Sequence, residues 1–75
     1  MQSYSKFIVD AMAYVDEKIL QIDARSIDRE RLHNKINTQI VANVKNLVEL
    51  SHEVAYMKID AIFKEQLNDE IVRNL

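Results

Sequence analysis

Residues 36–62 read INTQIVANVKNLVELSHEVAYMKIDAI, and this stretch indicates the class of the whole protein. Its apolar residues recur every three or four positions, which is the spacing of one face of an α-helix. One seam comprises Ile36, Ile40, Asn43, Leu47, Leu50, Val54, Met57 and Ala61. A neighbouring stripe comprises Val41, Val44, Val48, Ala55, Ile59 and Ile62. Two adjacent stripes give a broad apolar face, so we expect this segment to contact more than one neighbouring helix.

The sequence on either side of this stretch continues the helical pattern, and none of the 75 residues is glycine or proline. A first helix is predicted over about residues 4–23, with Ser3 or Ser5 as its N-cap. Its seam comprises Ile8, Met12, Val15, Ile19 and Ile22. After a tight connection at residues 23–26, Ser26 is the expected N-cap of a second helical region over about residues 27–73. The sequence therefore predicts one all-α domain over residues 1–75.

The second helical region can be one helix or two. Ser51 is a suitable N-cap for a third helix, with Asn46 ending the second. However, the apolar stripes cross residues 46–51 without losing phase, and the usual helix breakers are missing. We therefore favour a helical hairpin with one long second helix, and a three-helix bundle is the alternative.

The apolar content is high for so short a chain. Apolar residues make up 48% of the sequence, and cysteine and tryptophan are absent. A domain of this size buries only about 60% of the surface that its unfolded chain exposes. Small scaffolds without disulfides or metals commonly gain stability by oligomerising. We therefore predict an antiparallel homodimer with coiled-coil-like packing. Its expected interface comprises Ile36, Ile40, Asn43, Leu47, Leu50, Val54 and Met57.

Charge and composition limit the cellular setting. The formal net charge is -2, and residues 1–24, 25–48 and 49–75 carry -2, +3 and -3. This alternation suits self-association at least as well as an external anionic partner. No signal peptide is visible and no apolar run approaches the ~20 residues of a membrane span. The lack of cysteine fits the cytosol, so we expect a cytoplasmic protein without membrane contact.

Two Glu-x-x-His pairs suggest a metal site. The pairs are Glu30 with His33 and Glu49 with His52. On a helix, residues three apart share a face, and di-iron four-helix bundles use such pairs together with further carboxylates. The two pairs are 19 residues apart, so they would meet only across an antiparallel dimer. Chance pairing on a solvated face is the alternative explanation.

A cluster of basic residues opens the second helical region. It comprises Arg25, Arg29, Arg31 and Lys35. These side chains could contact phosphates, but Asp28 and Glu30 interleave with them and no aromatic residue lies among them. Nucleic-acid modules usually show a clear basic excess on one face. An ion-paired junction between helices explains the cluster equally well.

Function is inferred largely by elimination. No arrangement of nucleophile, histidine and acid can be built from the helical spacing, and no glycine-rich phosphate loop exists. We therefore expect no enzyme activity and no cofactor. The leading hypothesis is a small helical module for protein–protein interaction that acts as a regulator, adaptor or inhibitor of another macromolecule. The alternatives are a carboxylate–histidine metal site at a dimer interface and a weak nucleic-acid binder that uses residues 25–35.

Overall fold

A computed structural model describes residues 3–23 and 25–75, and these residues form three helices. Helix α1 is Tyr4–Leu20, α2 is Arg29–Val48 and α3 is His52–Arg73. Helix α2 runs antiparallel to α1 and α3 and packs against both of them. The all-α class predicted from the sequence is confirmed. The connection after α1 is longer than expected, since α1 ends at Leu20 and α2 begins at Arg29; Ala24 in this connection lies outside the described residues.

Each helix begins at a side chain that caps it. The Ser3 hydroxyl accepts a hydrogen bond from the Lys6 backbone N–H at 3.5 Å, and the Ser51 hydroxyl accepts one from Val54 at 3.2 Å. Both caps agree with the sequence prediction. The cap of α2 does not, because Asp28 rather than Ser26 accepts from Arg31, at 3.0 Å. The carboxylate at Asp28 is also better matched to the positive end of the helix dipole.

The chain reverses direction between α2 and α3 within three residues. Glu49 ends α2 in a helical conformation, and the Leu50 N–H donates to the Leu47 carbonyl at 3.2 Å. Ser51 is extended, with φ of -61° and ψ of 156°. The long second helix that we favoured from the sequence is therefore wrong, and the three-helix alternative is correct. The sequence signal was the Ser51 cap, because this turn requires neither glycine nor a positive φ.

A single apolar core runs along the centre of the three helices. The buried apolar residues are Phe7, Ala11, Met12, Val15, Ile19, Ile27, Leu32, Ile36, Ile40, Leu47, Ala55 and Ile59. Folding α3 back onto α2 places Ala55 and Ile59 in this core, where their burial stabilises the turn. The resulting bundle measures 43 × 19 × 16 Å. None of the helices in the described part of the chain is both long and apolar enough to cross a membrane.

Candidate interaction surface

The predicted interface residues divide between the core and the surface. Ile36, Ile40 and Leu47 are buried inside the chain's own core, which explains their spacing without a second chain. An interface between folded copies cannot include them. Val54 and Met57 are 41% and 63% exposed, so a partner can reach them. Their use in a contact with another chain remains a prediction.

Asn43 lies at the edge of the apolar seam. Its side chain is exposed, and its amide donates to the Gln39 carbonyl at 2.8 Å within α2. Val44 instead packs against the core. The apolar face of α2 is therefore rotated toward Val44 relative to the predicted seam. Asn43 is not buried within the chain, so it does not set the register of the helices in this fold.

Helix α3 has apolar residues on its outward face as well as on its inward face. We call Val54, Met57, Ile71 and Val72 the α3 outer stripe. They are 41%, 63%, 46% and 58% exposed. At 100° per residue they fall within an arc of about 100°. It consists of two pairs, Val54 with Met57 and Ile71 with Val72, about 21 Å apart along the helix. The exposed Lys64 and Asn68 lie between the pairs on the same arc.

A groove separates α2 from α3 on the side away from α1. At the hairpin end it holds a cavity of about 370 Å³ lined by Asn43, Asn46, Leu47, Leu50, Lys58, Ala61 and Ile62. It continues as a polar cavity of about 420 Å³ lined by Arg31, Asn34, Lys35, Thr38, Gln39 and Gln66. The described lining of both cavities contains three cations and no carboxylate. We call the two cavities together the α2–α3 groove.

Asp60 joins α1 to α3. Its carboxylate accepts from the Tyr14 hydroxyl at 2.7 Å and from the Lys18 ammonium at 2.6 Å. The hydrogen bond between Lys18 and Asp60 is the main reason why the pKa of Asp60 is below its ordinary value. The same bond is the main reason why the pKa of Lys18 is raised. Tyr14 also packs edge-on against Tyr56, with ring centroids 5.0 Å apart. This contact fixes α1 on α3, so it is structural in character.

Two residues of the basic cluster, Arg29 and Arg31, make hydrogen bonds within the folded chain. Arg31 donates from Nε to Glu70 at 2.7 Å and from Nη2 to the other carboxylate oxygen at 3.4 Å. Arg29 donates from Nη2 to the Ile22 carbonyl at 2.6 Å. Arg25 is exposed and Lys35 is half-buried. Two of the four predicted phosphate ligands therefore hold the connection and the end of α3 in place, as the ion-paired junction suggested.

The two Glu-x-x-His pairs lie at opposite ends of α2. Glu49 and His52 flank the turn and do not share one helix, so the face-sharing that motivated the second pair does not apply. His52 stacks on Tyr56 with centroids 4.4 Å apart, and His33 Nδ1 lies 2.5 Å from an Asp16 oxygen. Over the described ranges, no three or more His, Cys, Asp or Glu side chains converge to hold a metal. A metal site built from two chains remains a prediction.

Two polar contacts were missed at the sequence level. Glu70 is fully buried with Arg31 as its partner, and Asp60 bridges α1 and α3. The positions of Asp60 and Glu70, beside apolar residues of α3, are a weak signal for each. Their partners are 39 to 46 residues away, which local spacing cannot reveal.

Comparisons with protein-family models, with curated proteins and with solved structures found no match to this chain.

Proposed function

We propose that this protein is a small helical module for protein–protein interaction that regulates, adapts or inhibits another protein. The observation that carries the proposal is the α3 outer stripe. Val54, Met57, Ile71 and Val72 are large apolar side chains that remain 41–63% exposed on a helix whose inward face already fills the core. Exposed apolar residues grouped on one face are typical of interaction sites, whereas scattered ones are common on any surface.

The stripe has features that suit a protein partner. It lies on a helix that is capped at Ser51, and the far end of this helix is tied to α2 by the Arg31–Glu70 pair. A rigid helix loses little conformational entropy when it binds, so its apolar area contributes efficiently to affinity. Glu53 and Glu65 lie at the edges of the stripe and Lys64 lies between its two apolar pairs. Polar residues around apolar ones are usual at interfaces.

Self-association belongs to the same proposal. The folded chain buries its own core, yet Val9 and Leu20 on α1 are 67% and 79% exposed in addition to the stripe. A surface with several apolar patches can bind a second copy as well as a target. The two activities use different residues, so mutations can separate them.

Variants of the outer stripe test the proposal. Tagged wild-type protein, the double variant Met57→Glu/Val72→Glu and the control Val41→Glu are used to capture proteins from cells that express the chain. Val41 is a matched control because it is 46% exposed on α2, outside the stripe. The captured protein is then purified and its affinity is measured by calorimetry against all three folded variants.

We expect the double variant to lose affinity by about a hundredfold and Val41→Glu to bind like wild type, because charging a central apolar residue usually removes much of the binding energy. If the double variant binds every captured protein as tightly as wild type does, or if no captured protein binds the purified chain, the proposal is wrong.

A further inference from the structure

The α2–α3 groove offers an apolar pocket with a basic rim. Its hairpin-end cavity has an apolar floor of Leu47, Leu50 and Ile62, with Lys58 at the rim. The adjoining polar cavity adds Lys35 and Arg31. Arg31 is already paired with Glu70, so Lys35 and Lys58 are the cations available to an occupant. No α1 residue lines either cavity, so the groove opens on the far side of the bundle from α1.

The outward side of α1 has the opposite character. We call Val9, Asp10, Ala13, Glu17 and Leu20 the α1 outer face, and all five are exposed. At 100° per residue they fall within an arc of about 100°. Three are apolar and two are acidic. Lys6 shares this side and pairs with Asp10 at 3.2 Å, while Glu17 has no ion-pair partner among the described residues.

From this complementarity we propose that the α1 outer face of one copy docks in the α2–α3 groove of a second copy. Leu20, which is 79% exposed, enters the apolar pocket at the hairpin end. Glu17, one helical turn from Leu20, then lies beside Lys58 of the second copy. Asp10 is about 15 Å from Leu20 along α1, and Lys35 is about 18 Å from Leu47 along α2, so Asp10 reaches the level of Lys35. This inference rests on the proposed interaction function and names its self-association partner.

The donor face and the acceptor groove are different patches on opposite sides of the molecule. Such a heterologous contact leaves one free donor and one free acceptor on every dimer. It therefore extends into longer oligomers or closes into a ring, unlike a symmetric dimer. The α2 and α3 segments carry opposite net charges, +3 over residues 25–48 and -3 over residues 49–75, so the complementarity is local. It lies between the acidic Asp10 and Glu17 of the α1 outer face and the cations Lys35 and Lys58 that line the groove.

A mixing experiment tests the proposal. The donor-blocked variant is Glu17→Lys/Leu20→Lys, and the acceptor-blocked variant is Lys58→Glu/Ala61→Glu. All four positions are exposed, so we expect both variants to fold, and circular dichroism checks this. Sedimentation equilibrium is measured for wild type, for each variant and for their equimolar mixture. Val41→Glu is again the control.

Wild type and Val41→Glu should exceed the monomer mass of 8.8 kDa as concentration rises, whereas each blocked variant stays monomeric. The mixture should form a dimer, because the donor-blocked copy retains its groove and the acceptor-blocked copy retains its α1 face. A single chain that carries both Glu17→Lys and Lys58→Glu should regain association, since the exchanged charges still attract.

The proposal is overturned if wild type remains monomeric up to about 1 mM, a concentration that detects even weak association. It is also overturned if the mixture stays monomeric while wild type associates, or if the blocked variants associate like wild type, which would indicate a symmetric contact elsewhere. The stripe variant Met57→Glu/Val72→Glu should self-associate normally. Wild type that is monomeric yet binds a target through the stripe would refute this inference alone.

Discussion

Asp60 and Glu70 lie on the same helix but in different environments. The Asp60 side chain is 34% exposed and has two partners on α1, Tyr14 and Lys18. Glu70 is fully buried and its partner is Arg31 on α2. Solvent screens the charge of the half-exposed Asp60 carboxylate. The buried charge of Glu70 is removed from water, so it depends on its ion pair with Arg31. The two carboxylates therefore make different contributions to stability.

The Asp60–Lys18 pair should make stability depend on pH. The folded-state pKa of Asp60 is below its ordinary 3.8, so its contribution is present above that value and is lost as pH falls through the lower folded pKa. The pKa of Lys18 is above its ordinary 10.5, so its contribution is present below 10.5 and is lost as pH rises through the higher folded pKa. Asp60→Asn should therefore cost about 1 kcal/mol near neutral pH, limited by exposure.

Urea unfolding of wild type and Asp60→Asn at a series of pH values measures this cost. The difference should shrink toward zero as pH falls below the ordinary pKa of Asp60. Asp10→Asn, which breaks the exposed Lys6–Asp10 pair, is the control and should cost less. A difference for Asp60→Asn that stays constant from neutral pH into strong acid would contradict the assignment.

Replacing Glu70 should be more damaging. Glu70→Gln keeps the shape but removes the charge that Arg31 binds, so we expect a loss of about 1–3 kcal/mol in the free energy of unfolding. Glu65→Gln is a matched control on the same helix, because Glu65 is exposed, and it should change stability by no more than about 0.5 kcal/mol. Equal effects of the two substitutions in denaturant unfolding would show that the buried pair does not hold α3 to α2.

Helix α3 carries apolar residues on opposite faces. It places Ala55 and Ile59 inward and Met57 and Val72 outward, and α1 likewise exposes Val9 and Leu20. A helix with apolar residues on opposite faces is suited to a second contact. The interaction that we propose for the α3 outer stripe therefore depends on α3 beginning at Ser51.

The caps give a prediction for the turn. Ser51→Ala removes the acceptor for the Val54 N–H and should cost about 1 kcal/mol. Asp28→Ala should cost a similar amount, because Asp28 caps α2. Ser26→Ala is the control, since Ser26 is exposed and does not cap a helix; we expect a change within about 0.5 kcal/mol. Thermal unfolding that ranks Ser26→Ala with the other two would show that the caps are assigned wrongly.

The helices themselves were predictable from the sequence, and their ends were less so. Apolar spacing identified Met12, Val15 and Ile19 as one face, and all three are buried. Apolar spacing favours an unbroken second helix over a break at Ser51, because it records the phase of a helix and does not detect a turn that preserves this phase. The energy that decides the break comes from packing α3 on α2, which local sequence does not show.

The candidate surfaces depended still more on tertiary structure. The sequence grouped Ile40 with Met57 in one seam, whereas the fold buries the first and exposes the second. The α2–α3 groove could not be foreseen, because it exists only where two helices lie side by side. Charge by segment was the one early signal of complementarity between α1 and α2.

For the whole molecule, one core accounts for fold and surface together. The three helices bury the apolar residues that a single chain can enclose, and the bundle leaves the α3 outer stripe, the α1 outer face and the α2–α3 groove accessible. Both proposals require the chain to fold back between Glu49 and Ser51. An unbroken helix would separate the walls of the groove and expose Ala55 and Ile59.

The distance between two spin labels tests this reversal directly. The chain has no cysteine of its own, so Asn34→Cys/Asp69→Cys places labels on α2 and α3 alone, and dilution with unlabelled protein removes signals between copies. Because packed helices lie about 8–10 Å apart, pulsed electron resonance should give a label separation below about 30 Å. A separation near 50 Å, which is about the length of the same 35 residues in one straight helix, would contradict the three-helix fold and both surfaces derived from it.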